Sequence, residues 1–211
     1  MSAIALVSAF PFTALQALTK HGKMVPINIE GWLVPKCWFY HFYIYALIVS
    51  PLLRSRSQLC TVLLSLHLTR RFIEQVALFP YGKHSRMHIT AYLFGFVFYS
   101  AVAVTLPQQP LSILLFIAGN VLQFLSHRAL YLHRSRMSGN RDAQKKTVPK
   151  SILFRYMNCP HYFAEMLIYV SLVSISSSAS IALTLFVIVS LGVNWRNHSI
   201  WYSEQKSKVS Q

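Results

Sequence analysis

Acidic side chains are the scarcest polar class in this chain: five Asp and Glu stand against twenty Lys and Arg in 211 residues. Charged residues of both signs reach only 12%, against the ~25% of an ordinary soluble domain. That excludes a soluble protein with a solvated, charge-rich surface. Glycine is also sparse, with seven residues and no GxGxxG or P-loop pattern, so no soluble Rossmann or Walker element holds a nucleotide. Cys37, Cys60 and Cys159 are the only cysteines; they lack CxxC spacing and leave an odd count, which argues against a disulfide framework, a zinc site or thiol redox chemistry. One HxxxH pair, His84 and His88, is too little for a diiron centre, and no metal is expected. No Gly-x-Ser-x-Gly elbow is present either.

What remains is strongly apolar, with 54% hydrophobic residues. Apolar runs at about 3–19, 38–53, 58–80, 87–107, 110–133, 161–176 and 179–198 predict helices, each near the length that crosses a ~30 Å hydrocarbon core. The fold class expected is all-α, a polytopic bundle of six or seven transmembrane helices. No stretch between the runs is long enough for a separate core, so residues 1–211 read as a single integral-membrane domain. The run at 3–19 is broken by Pro11 and lacks a basic n-region and a clear cleavage site, so it is taken as a retained first span. The serine cluster Ser174 to Ser180 reads as a turn between the last two spans, and Ser203 to Gln211 as a solvated end.

A formal charge of +15 suggests nucleic acid at first sight. The basic residues lie between hydrophobic runs instead, so no nucleic acid is expected. Their densest group runs from Arg128 through Arg134, Arg136, Arg141, Lys145, Lys146 and Lys150 to Arg155. The positive-inside rule makes this loop cytosolic. Contact with anionic headgroups accounts for it, and so does a grip on a phosphorylated cofactor.

Two of the acids, Glu74 and Glu165, sit inside apolar runs. A carboxylate at the centre of a spanning helix costs about 2.5–3.5 kcal/mol on insertion scales, so such a group pairs, faces a cavity or does chemistry. Glu74 has company: His67, Arg70, Arg71 and Glu74 follow at i, i+3, i+4 and i+7, one face of a helix. That stripe is either a structural Arg–Glu pair with snorkelling stems or the wall of a pocket. Gln123, His127 and Arg134 form a second stripe, either polar glue between helices or a ligand path. Glu165 follows His161 by one turn, in a segment that opens Cys159-Pro160-His161-Tyr162. A first-turn acid complements the helix dipole, and Pro160 suits a first helical position. Asn194, Arg196, Asn197, His198, Trp201 and Tyr202 cluster where the last span ends, as interface anchors or as site residues.

Read in order, these stripes resemble the steroid 5α-reductase superfamily, and most closely its polyprenol (polyprenal) reductase branch. Val34-Pro35-Lys36 with Phe39, His41, Phe42 and Tyr43 resembles that branch's VPKxxFxHFY segment, and His21-Gly22-Lys23 its preceding xGK stretch. Leu66-His67, Arg70-Arg71 and Glu74 resemble LHxxRRxxE, followed by Met87-His88 and Tyr92. Tyr156, Pro160, Tyr162, Ala164-Glu165 and Ile168-Tyr169-Val170-Ser171 resemble YxxxPNYxAExxIYVS, the most specific piece. His161 stands where that signature has asparagine. His198-Ser199-Ile200-Trp201-Tyr202 resembles the family's SHxFY exit with its histidine shifted by one. The family's basic tail with an IPF-like end is not found, so a chain shorter than typical members is expected.

The resemblance implies a multi-pass enzyme of the endoplasmic reticulum membrane that uses NADPH to reduce a carbon–carbon double bond conjugated to a carbonyl. Its substrate in this branch is a long-chain polyisoprenoid, the α-unsaturated polyprenal or polyprenol, on the way to dolichol for N-glycosylation. The partners implied are that substrate and membrane lipids, without an obligate protein partner. His67 stands where steroid-reducing relatives have a catalytic tyrosine; Glu74 and Tyr162 complete the candidate catalytic set. Candidate cofactor contacts are Arg70, Arg71, Gln123, His127, Arg134, His161, Glu165, His198 and Tyr202, with Arg134 or a neighbour suited to the 2′-phosphate. Other readings stay open. A 3-oxosteroid 5α-reductase predicts tyrosine at position 67, a catalytically silent member keeps the fold as a scaffold or lipid binder, and a related-fold methyltransferase lacks its C-terminal signature here.

Overall fold

The computed structural model describes residues 33–53, 58–78, 85–107, 110–136, 149–172 and 177–209, with the backbone alone at 205, 206, 208 and 209. Strand β1 (Leu33–Pro35) leads through a 3₁₀ turn (Lys36–Phe39) into α1 (Tyr40–Leu52) and α2 (Gln58–Ala77). Strand β2 (Arg86–His88) precedes α3 (Ile89–Thr105), and α4 (Ile113–Arg136), α5 (Ile152–Tyr156), α6 (Pro160–Leu172) and α7 (Ser178–Val209) follow. The expected helices at 38–53 through 179–198 all appear; the run at 3–19 and the His21-Gly22-Lys23 stretch lie outside the described residues.

Local chemistry sets several boundaries. Residues 86–88 do not start α3, because Met87 pairs antiparallel with Val34 and Arg86 with Pro35. His88 then caps the helix, its Nδ1 accepting from the Thr90 amide at 3.3 Å. Ser112 caps α4 by accepting from the Leu115 amide at 3.2 Å. At the start of α7, Ser177 and Ser180 bond each other's amides reciprocally, at 3.1 and 3.0 Å, a capping box built from two serines. The polar end from Ser203 continues the helix to Val209, with Ser203, Glu204 and Ser207 exposed. It contains no glycine or proline, and its Glu, Gln and Lys residues are good helix formers. The short α5 was not anticipated from the sequence.

Among the described residues, α4 and α6 share the most extensive helix–helix contact. Gly119 permits it: a Cβ there would lie 2.8 Å from Ile168 Cγ1 and 3.0 Å from the Ala164 carbonyl oxygen. On the other side, α1 packs on α3, where Gly95 leaves room for the Phe42 ring. The buried core between these pairs holds Phe42, Tyr43, Leu64, Leu68, Ile168 and Tyr169 among others.

Outward faces are apolar along every long helix: Ile48 on α1, Val62 on α2, Val97 on α3, Leu114 on α4 and Leu185 on α7 are all more than half exposed. Faces of that kind on successive elements belong against lipid rather than water. Among the described residues, two helices are long and apolar enough to cross a membrane, Ile113–Arg136 and Ser178–Glu204, and Ile89–Thr105 is a shorter apolar helix. The protein is therefore a mostly helical membrane protein. α1 and α6 have 13 residues each, and such a length reaches only about 20 Å at 1.5 Å per residue.

Candidate functional site

Glu74 is the centre of a buried polar cluster between α2 and α4. One carboxylate oxygen accepts from Arg70 Nη1, the other from Arg71 Nη1 at 3.1 Å and from His127 Nδ1 at 2.6 Å. Arg70 reaches across to α4, donating from Nε to Asn120 Oδ1 at 3.0 Å and from Nη2 to Gln123 Oε1. His67 Nδ1 lies 3.0 Å from the same Asn120 oxygen. Asn120 Nδ2 donates to the Phe116 carbonyl at 2.8 Å, which turns the amide oxygen toward His67 and Arg70. Neutral His67 is thus the Nδ1–H tautomer, since that oxygen can only accept. The one-face stripe of α2 and the Gln123/His127 pair of α4 meet as two halves of one network. Buried charge at Glu74 is stabilised by two guanidiniums and an imidazole, the condition under which a carboxylate persists at this depth.

Arg71 links this network to a cavity of about 390 Å³. Its Nη2 donates to Tyr43 Oη at 3.0 Å, and its guanidinium carbon stands 5.5 Å from the Tyr43 ring centroid. The cavity walls come from α1, α2, α3, α6 and α7, and include Phe42, Phe94, Phe98 and Phe186. The polar groups facing it include Arg71, Gln75, Tyr43, Tyr99, Tyr162, Glu165, Tyr169, Asn194 and His198. A mostly apolar cavity with a few convergent polar groups is the usual form of a small-molecule site. Glu165 is the distinctive member. Its half-buried carboxylate makes no hydrogen bond or ion pair among the described residues, whereas Glu74 has three partners.

A third group joins α4, α5, α6 and α7 at one end of the bundle. The His161 ring centroid is 6.0 Å from that of His127, 4.2 Å from Tyr162 and 6.4 Å from Phe154. Tyr162 is 5.6 Å from His198, and Tyr202 is 6.3 Å from Phe154. Two buried polar atoms on this side are without partners among the described residues, Gln123 Nε2 and His161 Nδ1. Cys159 is buried beside Ser199, and burial pushes its thiol up to about 12; it is no nucleophile at neutral pH. Farther out, Lys36 sits in the charge field of Arg134, and burial followed by that like charge lowers its ammonium from the ordinary value.

The residues singled out from sequence are thus distributed in three places. His67, Arg70, Arg71, Glu74, Gln123 and His127 share the ion-pair network. Arg71, Tyr162, Glu165 and His198 line the cavity. His161 and Tyr202 belong to the aromatic end, and Arg134 is exposed on the last turn of α4. His67 does not reach the cavity wall: it is 1% exposed and lies edge-on behind the Tyr169 ring, 6.2 Å between centroids. Sequence reading missed Asn120 and the phenols Tyr43, Tyr99 and Tyr169. Asn120 was legible, since it precedes Gln123 and His127 by three and seven positions on one helix face. The phenols carried no periodic signal.

Fold and cavity define the class: a helical membrane protein enclosing an aromatic site with one unpaired carboxylate. Residues 73–210 match the family model described as 3-oxo-5-alpha-steroid 4-dehydrogenase. The chain belongs to that family and is an oxidoreductase of the type that acts on a CH–CH group. Its relatives include polyprenal reductases. The Xenopus tropicalis enzyme is 27% identical, over 79% of this chain and 72% of that one. The Saccharomyces cerevisiae enzyme is 26% identical, over 79% and 67% respectively. Polyprenal reductase 1 of Arabidopsis thaliana is 22% identical, over 87% and 80%.

Proposed function

We propose that this protein reduces the α-isoprene double bond of a polyprenal with NADPH, as a multi-pass enzyme of the endoplasmic reticulum membrane with six or seven spans, supplying dolichol for N-glycosylation. The observation that carries the reading is the unpaired Glu165 carboxylate facing the same aromatic cavity as Arg71. Even half-buried, an acid without a hydrogen-bond partner is costly unless a ligand completes it.

The residues fit a nicotinamide dinucleotide. Glu165 is an acceptor for a carboxamide N–H₂. The orphan Gln123 Nε2 and His161 Nδ1 supply polar contacts beyond it, and Arg134 with Lys36 supplies positive charge for phosphate. When bound, the reduced nicotinamide supplies a hydride. The protein's part is to exclude water with Phe42, Phe94, Phe98 and Phe186 and to present O–H and N–H donors where charge grows on the carbonyl oxygen. Arg71 is held in place for this by Glu74 and Tyr43. Tyr162, on the wall beside Glu165, is the member of the expected catalytic set that faces the cavity directly. Glu74 acts from behind, by fixing Arg70 and Arg71, and His67 shares with Arg70 the Asn120 oxygen that holds it. A long isoprenoid reaches such a site from the side, because its tail leaves lipid for another apolar surface at little cost. The chain acts as one integral-membrane domain over residues 1–211, with the polyisoprenoid and membrane lipids as its partners and no obligate protein partner.

The test is NADPH-dependent turnover of polyprenal by purified protein in nanodiscs, with polyprenol and a 3-oxosteroid in parallel. Saturated aldehyde from polyprenal alone supports the reading; product from the steroid alone would replace it with a steroid 5α-reductase.

A further inference from the structure

The short helix α5 has two unlike sides. On the inner one Phe154 is 1% exposed. Its ring stacks on that of His161, 6.4 Å between centroids with the planes 29° apart, and meets Tyr202 edge-on at 6.3 Å. His161 in turn touches Tyr162, and Tyr162 touches His198, both on the cavity wall. These rings join α5 to one end of the cavity. On the outer side Ile152 and Tyr156 are 71% and 82% exposed, and their spacing of four residues puts them on one face. Lys150 and Arg155 beside them are exposed as well. α4 runs antiparallel to α6, since Gly119 lies against Ile168 and His127 near His161. The last turn of α4 therefore brings Arg134 and Arg136, also exposed, to the same end. Against these cations Glu204 of α7 is the one exposed acid among the described residues.

We propose that α5 is a membrane-surface latch. Its outer face seats Ile152 and Tyr156 in the headgroup layer of an anionic leaflet, Lys150, Arg155, Arg134 and Arg136 meet the lipid phosphates, and Phe154 holds the end of the cavity from the inner side. The chemistry of the outer face selects this partner. Tyrosine and basic side chains are usual occupants of the membrane–water interface, and clustered Lys and Arg next to a spanning helix bind anionic lipid. The bundle already faces lipid along α4 and α7, so α5 continues a surface of the same kind where those helices end. A protein partner fits this face less well. Five residues of helix are only about 7.5 Å long and offer two anchors, whereas helix-in-groove recognition draws on i, i+3, i+4 and i+7 and a stable interface covers about 800 Å² per partner. The consequence for the site is positional. A seated α5 keeps the Phe154 ring on His161, and a detached α5 does not. His161 belongs to the end assigned to the cofactor above, so on that reading cofactor retention follows the charge of the leaflet.

The experiment follows amide hydrogen exchange of residues 150–157 by mass spectrometry. The full chain is placed in nanodiscs of phosphatidylcholine alone, or with about one third phosphatidylserine, and no cofactor is added. In wild type, exchange of this segment is expected to be about tenfold slower in the anionic discs. An Ile152→Ser/Tyr156→Ser variant and a Lys150→Gln/Arg155→Gln variant are each expected to lose that difference. Unchanged exchange of α4 and α6 in the variants certifies the fold. NADP⁺ affinity, measured in parallel, is expected to be about five- to tenfold higher in the anionic discs for wild type and equal in both discs for the variants. Wild-type exchange at 150–157 that is the same in both lipids overturns the latch and leaves the face to a protein partner. Slower exchange in anionic discs without any change in NADP⁺ affinity overturns its tie to the site. If NADP⁺ binds in neither lipid while the segment is still protected by anionic lipid, it is the NADPH reading of the protein that fails, and the membrane contact stands.

Discussion

Gly119 of α4 and Ile168 of α6 are packed so closely that a methyl group on Gly119 would meet the Ile168 side chain at 2.8 Å. The closeness has a functional consequence. Ile168 is flanked by Glu165 and Tyr169 on α6, while Gly119 is flanked by Asn120 on α4, so this contact sets the distance between the cavity wall and the ion-pair network. Gly119→Val should force the helices apart and cost about 1–3 kcal/mol, as overpacking does. A fall in thermal midpoint together with weaker cofactor binding is the expected result, measured by thermal shift with and without NADP⁺.

Glu74 should matter first for stability. It is 2% exposed and holds two arginines and a histidine, and removing one partner of such a buried assembly costs about 3–5 kcal/mol. Glu74→Ala is expected to lose folded protein in detergent, as seen by size-exclusion chromatography. A fully folded but inactive Glu74→Ala protein would instead assign the carboxylate to the chemistry itself.

Glu165 should behave in the opposite way. With no hydrogen-bond or ion-pair partner among the described residues, the Glu165 carboxylate ties no other side chain in place, so Glu165→Gln is expected to leave the thermal midpoint of the free protein equal or higher. Its loss appears on ligand addition: cofactor affinity should fall by about 10- to 100-fold, the worth of a hydrogen bond to a charged group. Equal loss of stability by Glu165→Gln and Glu74→Ala would remove the distinction drawn between the two acids.

Thiol reactivity should separate the cysteines. Cys37 is exposed, Cys60 and Cys159 are buried, and Cys159 titrates only near 12, because burial disfavours its thiolate. At pH 8 a maleimide is expected to label Cys37 alone among these three in the folded protein, and all of them in denaturant, by intact-protein mass spectrometry.

The sequence was informative where periodicity and physical necessity coincide. Spacing alone put His67, Arg70, Arg71 and Glu74 on one helix face, while the pairing of Glu74 with both arginines was one of two readings left open and is decided by the structure. Gln123 and His127 were visible as a second stripe, but that the stripes face each other is a tertiary fact, set by the packing of α2 against α4. The β1–β2 pair was hidden because three-residue strands carry no alternation worth reading. The phenols were hidden for another reason: Tyr43, Tyr99 and Tyr169 lie on three helices, and an aromatic residue in an apolar run has the same signal whether it faces lipid, core or cavity. His67 shows the converse case, a prominent polar residue that the fold places behind the wall rather than on it.

The most direct test of the account is reduction of a medium-length polyprenal by the purified protein in nanodiscs with NADPH, product read by mass spectrometry for wild type and Glu165→Gln side by side. The account predicts saturated aldehyde from wild type and a strongly reduced yield from the variant at equal folded protein. Absence of product from well-folded wild type, with no NADPH binding, would contradict it.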